Sequence, residues 1–136
     1  MPIWPLHDAT SWQKSAMHMD ADAVLTQGGQ LQVHTHTWCT WALKGFTGGC
    51  LVMVADANET VIHQWLVWPR GVDGTWIGRS DREDYETQDV PVEVLSRADH
   101  LVVACSHMPK DRFFDILDEV GAKAKAAKDL MESFFD

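Results

Sequence analysis

No stretch of this chain approaches the roughly 18 consecutive apolar residues that a membrane-crossing helix needs, so no membrane span is expected. The opening residues, Met1 to His7, also lack a basic stretch followed by an apolar run, and no secretory signal is read there. Basic residues are scarce: eleven Lys and Arg against twenty Asp and Glu leave a formal charge of -9. The longest basic cluster, Lys123, Lys125 and Lys128, sits among acidic neighbours. A surface of this sign repels a phosphate backbone, which argues against nucleic acid as a partner. A phosphate-binding loop is missing too, because Gly45 to Gly49 lacks the Lys-Ser/Thr ending and precedes a strand pattern instead of a helix. Only three cysteines occur, Cys39, Cys50 and Cys105, widely spaced in apolar surroundings. That pattern suits reduced, buried thiols better than a disulfide framework and points to a cytoplasmic protein.

What is present is ordinary for a folded domain. Hydrophobic residues make up 46% of the 136 and charged residues 23%, which sets disorder aside and gives one core for one domain. The segment from Met1 to Gln27 has a weak pattern interrupted by Pro2 and Pro5, and reads as an irregular arm with a short strand near Ala23 to Thr26. Gln30 to Leu43 alternates as a half-buried strand does. Leu31, Val33, Thr35, Thr37, Cys39 and Trp41 share one face, and Gln32, His34, His36, Trp38 and Thr40 share the other. Cys50 to Ala55 and Thr60 to Trp68 continue as strands, predicting a three-strand antiparallel meander. Arg79 to Asp89 is a highly charged stretch whose first part, Gly78 to Asp84, reads as a solvated turn or loop; Val90 to Leu95 reads as a strand or a helix start after Pro91, and Leu101 to Ser106 as a central strand buried on both faces.

Beyond Pro109 the period changes. Phe113, Leu117, Val120, Ala124, Ala127, Met131 and Phe134 follow at spacings of 4 and 3, the seam of an amphipathic helix. Gly121 weakens that helix by roughly 1 kcal/mol relative to alanine and leaves room for a kink or two helical pieces. The predicted architecture is therefore mainly β, an antiparallel β-sandwich or partly open barrel, with one C-terminal amphipathic α-helix. Residues 1–109 form the β domain and 110–136 the helix, which can dock on that domain or pair two chains; the strict 4 and 3 spacing favours pairing, and a homodimer through the helix is expected.

Candidate chemistry concentrates in the strand region. His34 and His36, at i and i+2, project from one strand face with Trp38 and mark a ligand site. His63 is a candidate third member of that set if its strand is a neighbour, and three imidazoles in reach of one another would suit a metal. No resident metal is assigned, because a His-x-His pair without a defined third ligand is a common accident. Seven tryptophans are a heavy load for this length. Their broad rings suit a sugar-stacking platform or an apolar core equally, with Trp65 placed in the site set and Trp41 in the core. Arg79, in the mixed-charge run Gly78 to Asp84, offers a guanidinium fork to a carboxylate.

These residues predict a small-molecule or glycan-binding β domain, with no cofactor assigned. One alternative is a cofactor-independent cyclase or isomerase using His34 or His36 as general base in a Trp-lined cavity. The other is a protein-interaction module acting through the C-terminal helix.

Overall fold

In a computed structural model, residues 2–39, 46–70, 72 and 80–134 are described. Their strands are β1 (Leu6–Lys14), β2 (Met17–Leu25), β3 (Gln30–Cys39), β4 (Gly49–Ala55), β5 (Val61–Val67), β6 (Ser80–Asp89) and β7 (His100–Ser106). The helices are α1 (Val92–Leu95), α2 (Lys110–Glu119) and α3 (Ala124–Glu132).

The strands form two antiparallel sheets, one in the order β1-β2-β3-β6 and the other in the order β5-β4-β7. Period-2 alternation decides which side of the first sheet is dry. Met17, Met19, Ala21, Ala23 and Leu25 of β2 and Leu31 and Val33 of β3 turn inward. They pack on Cys50, Val52 and Val54 of β4 and on Leu101, Val103 and Cys105 of β7. The other side of the second sheet carries Leu51, Met53, Ala55, Val102 and Ala104, which α2 and α3 cover with Phe113, Ile116, Leu117, Ala124, Ala127 and Met131. The result is three layers, sheet on sheet on helices, with β4 and β7 buried on both faces. Each of the large side chains removed from water here is worth about 1.5–3 kcal/mol.

The fold class is as expected, a sandwich with a C-terminal helical segment, and several details depart from the reading. β3 does not join β4 and β5 in a meander; it pairs with β2 and β6 in the other sheet. The charged stretch, whose first part reads as a loop in the sequence, is β6, an edge strand with no apolar side to announce it. β7 is double-sided as expected but lies at the margin of its sheet, with β4 in the centre. That margin is covered by side chains: the Asp8 carboxylate accepts from Val103 N at 2.8 Å, and Glu132 Oε2 accepts from Cys105 N at 3.1 Å and from Thr10 Oγ1 at 2.6 Å. Lys128 Nζ donates to Val103 O at 2.7 Å. Charged side chains thus occupy ladder groups that a bare edge would offer to another strand.

The C-terminal segment divides into two helices. Gly121 and Ala122 adopt φ values of 62° and 60°, ending α2 with the left-handed residues that commonly close a helix. The turn docks on the loop between β4 and β5: Val61 N donates to Ala122 O at 2.8 Å and Ala124 N to Glu59 O at 2.9 Å. The apolar stripe expected as a seam between chains is therefore covered within one chain, by its own second sheet. The Phe134 backbone ends the described helix region, and the last two residues of the expected helix lie outside the described residues.

The thiol expectation is corrected. Cys50 and Cys105, directly opposite one another on β4 and β7, form a disulfide, and Cys39 alone is free and buried. Fifty-five positions of sequence separate the pair, so spacing could not reveal that the ladder would bring them together. The cytoplasmic reading rested on reduced thiols and loses that support. No helix among the described residues is long and apolar enough to cross a membrane.

Candidate functional site

The outward side of the first sheet follows from the same alternation that built the core. Every second residue of β2, β3 and β6 faces away from the second sheet, and the antiparallel registers set these residues in rows. Asp22, His34 and Tyr85 form one row, Asp20, His36 and Glu83 the next, and His18, Trp38 and Asp81 a third. Directly opposite side chains lie about 4.5–5.5 Å apart at Cβ, close enough for rings to stack. His18 lies on Trp38 with centroids 4.7 Å apart and planes 5° from parallel, and His36 covers Trp38 at 4.5 Å. His34 stacks on Tyr85 at 4.5 Å.

Carboxylates hold the imidazoles between the strands. His34 Nδ1 is 3.0 Å from Asp22 Oδ1 on β2, and its Nε2 is 3.1 Å from Glu83 Oε1 on β6. His36 Nε2 is 2.8 Å from Asp81 Oδ1. With a carboxylate at each nitrogen, the His34 ring satisfies both only as the imidazolium, which has two N–H donors and no acceptor. Partial burial pulls the pKa of His34 down, but the hydrogen bonds and charges of Asp22 and Glu83 together outweigh it and raise the value above the ordinary 6.5. A raised pKa with both nitrogens occupied suits a charged tie or a proton donor and works against a general base.

Beside this row lies an open hollow of about 260 Å³, lined by Asp22, Val24, Gln32, His34, Tyr85 and Thr87 among others. Tyr85 is 73% exposed on its rim. The side chains of β2, β3 and β6 that point outward include no Lys or Arg, so the surface offers rings and hydrogen-bond acceptors.

The six residues singled out from sequence separate. His34, His36 and Trp38 share this outer surface. His63 and Trp65 lie on the inner side of β5, in the other sheet, where His63 Nε2 is 2.9 Å from Gln88 Oε1 and Trp65 packs against the core. His63 is therefore not a third member of the His34 and His36 pair. Among the described residues no group of three His, Cys, Asp or Glu is placed to hold a metal ion. Arg79 lies outside the described residues, as do Trp41 and Trp76. Sequence reading missed His18, Asp22, Asp81, Glu83 and Tyr85. The signal was there in the alternating polar positions of 17–25 and 80–89, but pairing of those segments with β3 was needed to bring them together.

A pH dependence follows from two histidines. At His100 burial again lowers the pKa, and Asp99 and Glu59, with oxygens at 2.8 and 2.5 Å, raise it overall. A folded-state pKa raised above the unfolded one gives stability that is fully present below the unfolded value and is lost as pH climbs through the folded one. The melting temperature is expected to fall between about pH 6 and pH 8, and to fall less in a His34→Gln/His100→Gln variant. Equal slopes for the two proteins in thermal melts across that range would remove the imidazolium assignment.

Comparison with protein-family models, with curated proteins and with solved structures finds no match for this chain.

Proposed function

We propose that this chain is a ligand-binding β domain whose outer sheet surface takes a neutral carbohydrate or a similar polyhydroxylated small molecule. The observation that carries this reading is the pairing of stacked, partly exposed rings with carboxylate acceptors around one hollow. The flat apolar side of a sugar ring packs on an aromatic face, while its hydroxyls donate to carboxylates fixed in place by their histidines. Asp22, Glu83 and Asp81 are held by His34 and His36, so they present their remaining lone pairs at set positions. Their charge is neutralised only in part, which favours hydroxyl donors over anionic ligands.

This reading is preferred to a His-based isomerase because both nitrogens of His34 are engaged by carboxylates. It is preferred to a helix-mediated interaction module because Phe113, Leu117, Ala127 and Met131 are spent on the chain's own sheet. Titration with neutral trisaccharides built on glucose, galactose and N-acetylglucosamine, followed by amide NMR, tests it. Saturable shifts are expected on β2, β3 and β6, with affinity reduced about tenfold in Tyr85→Ala, the scale of one lost aromatic contact. No saturable shift with any of the three, or shifts indifferent to Tyr85→Ala, rejects the surface as a sugar site.

A further inference from the structure

The four strands at the margins of the two sheets are protected unequally. β1 carries Asp8 and Lys14, and β6 is charged along most of its length. β7 has no charged residue of its own, but Asp8, Lys128 and Glu132 bond its backbone. β5 also has no Asp, Glu, Lys or Arg, and among the described residues no side chain guards it in this way. Its outer side is used only where it begins: Val61 N donates to Ala122 O at 2.8 Å, and Thr60 and Lys123 form an antiparallel bridge. The chain's own turn between α2 and α3 thus starts to add a strand there and goes no further. From Ile62 to Val67, no backbone partner besides β4 occurs among the described residues. Native sheets rarely leave an uncharged edge of this kind without a use for it.

An open hollow of about 280 Å³ lies beside that edge, on the helix side of the sheet. Val61 and Gln64 of β5 form one wall, Phe114, Leu117 and Asp118 of α2 the other, and Gly121 and Ala122 one end. Val61 and Phe114 pack on the layer between sheet and helices and stay half-buried, so the hollow offers apolar surface that the fold does not close over. Charge selects what can cover it. α2 carries four acidic residues against two basic ones, and Arg112 is already held by Glu119. Asp118, exposed on the wall of the hollow, is in no ion pair among the described residues. A second copy added at β5 about a two-fold axis would set two such helices on one face of the joined sheet, acid facing acid. A basic segment in extended conformation meets no such opposition.

We infer that β5 and the hollow beside it are a docking site for an extended peptide of a partner protein, separate from the outer surface of the first sheet. The peptide adds to the β5 edge as a strand, and the main-chain bonds so formed supply affinity. One apolar side chain fills the hollow. A Lys or Arg two positions away, on the same side of the added strand by its period of two, reaches Asp118.

The test uses the full ¹⁵N-labelled chain, titrated at low salt with the blocked peptide Ser-Leu-Thr-Lys-Thr and, separately, with the same peptide carrying Glu in place of Lys. The Lys peptide is expected to give saturable amide shifts on β5 and on the end of α2, and to slow hydrogen exchange of β5 amides. The Glu peptide should bind about fivefold more weakly, the scale of an exposed ion pair exchanged for a repulsion. Asp118→Asn, a change at an exposed position, should remove most of that preference while the dispersion of the amide spectrum shows the fold unchanged. No saturable shift on β5 with the Lys peptide overturns the proposal, as does equal binding of the two peptides or a preference that survives in Asp118→Asn. Protection of β5 amides that rises with protein concentration in the absence of peptide would make a second copy the occupant and overturns it too.

Discussion

Replacing both Cys50 and Cys105 with alanine is expected to lower the stability of the domain by about 4 kcal/mol, the loop-closure entropy of a cross-link spanning 55 residues. A domain of this size is commonly stable by only about 5–15 kcal/mol, so the loss is a large share of the whole. The bond ties β4 to β7, the two strands buried on both faces, and each sulfur lies in the core with no exposure to solvent. Its effect is therefore felt by both apolar layers. Urea unfolding of the oxidised protein, of the double alanine variant and of protein reduced while unfolded decides the matter. The two altered forms should show the same lowered midpoint, and a midpoint unchanged in both would mean that the bond contributes nothing to the fold.

Phe113→Ala is expected to cost about 3–5 kcal/mol, the range for emptying a fully buried aromatic site. Phe113 has no exposed surface, meets the Trp68 ring edge-on at 6.2 Å, and sits in the layer between α2 and the second sheet. The same experiment separates the two uses of the helical stripe. If the stripe serves its own sheet, the melting temperature of both proteins is independent of protein concentration and drops by the same amount at every dilution. If it joined two chains, stability would rise with concentration by mass action, and the variant would lose that dependence. A concentration-dependent melt in the unmutated protein counts against the cis packing described here.

The parts of this fold legible in sequence are those where burial and period agree. β3 was readable to the level of its two faces, since Leu31 and Val33 alternate with Gln32, His34, His36 and Trp38 in a run too long to be chance. β4 and β7 were readable from continuous apolar runs, and β5 from the apolar residues on either side of His63 and Gln64. β1 was not, because only Leu6 and Trp12 of its nine residues are buried, and the less exposed face they share also carries the polar Asp8, Thr10 and Lys14. β2 does alternate, but two of its inward residues are the small Ala21 and Ala23, which signal burial weakly. β6 was invisible for a stronger reason. Its inward positions, Arg82, Asp84, Glu86 and Gln88, are satisfied by Arg70, by one another and by His63, so the strand has partners in place of an apolar side. The outer surface was half legible: the His34, His36 and Trp38 set could be named from one strand. The carboxylates that charge His34 come from two other strands, and register is a property of pairing, not of a single segment.

The covered margin of β7 has a consequence for how the chain is made. Its guards come from opposite regions of the sequence, Thr10 and Asp8 near the beginning and Glu132 at the close of α3, the Thr10 to Glu132 contact spanning 122 positions. A ribosome delivers these parts in order. Until α3 docks, the Cys105 amide lacks Glu132 and the Val103 carbonyl lacks Lys128, and an apolar strand keeps a free side. The final helix works as a stopper, and its docking sets the moment at which that side ceases to be a template for another strand.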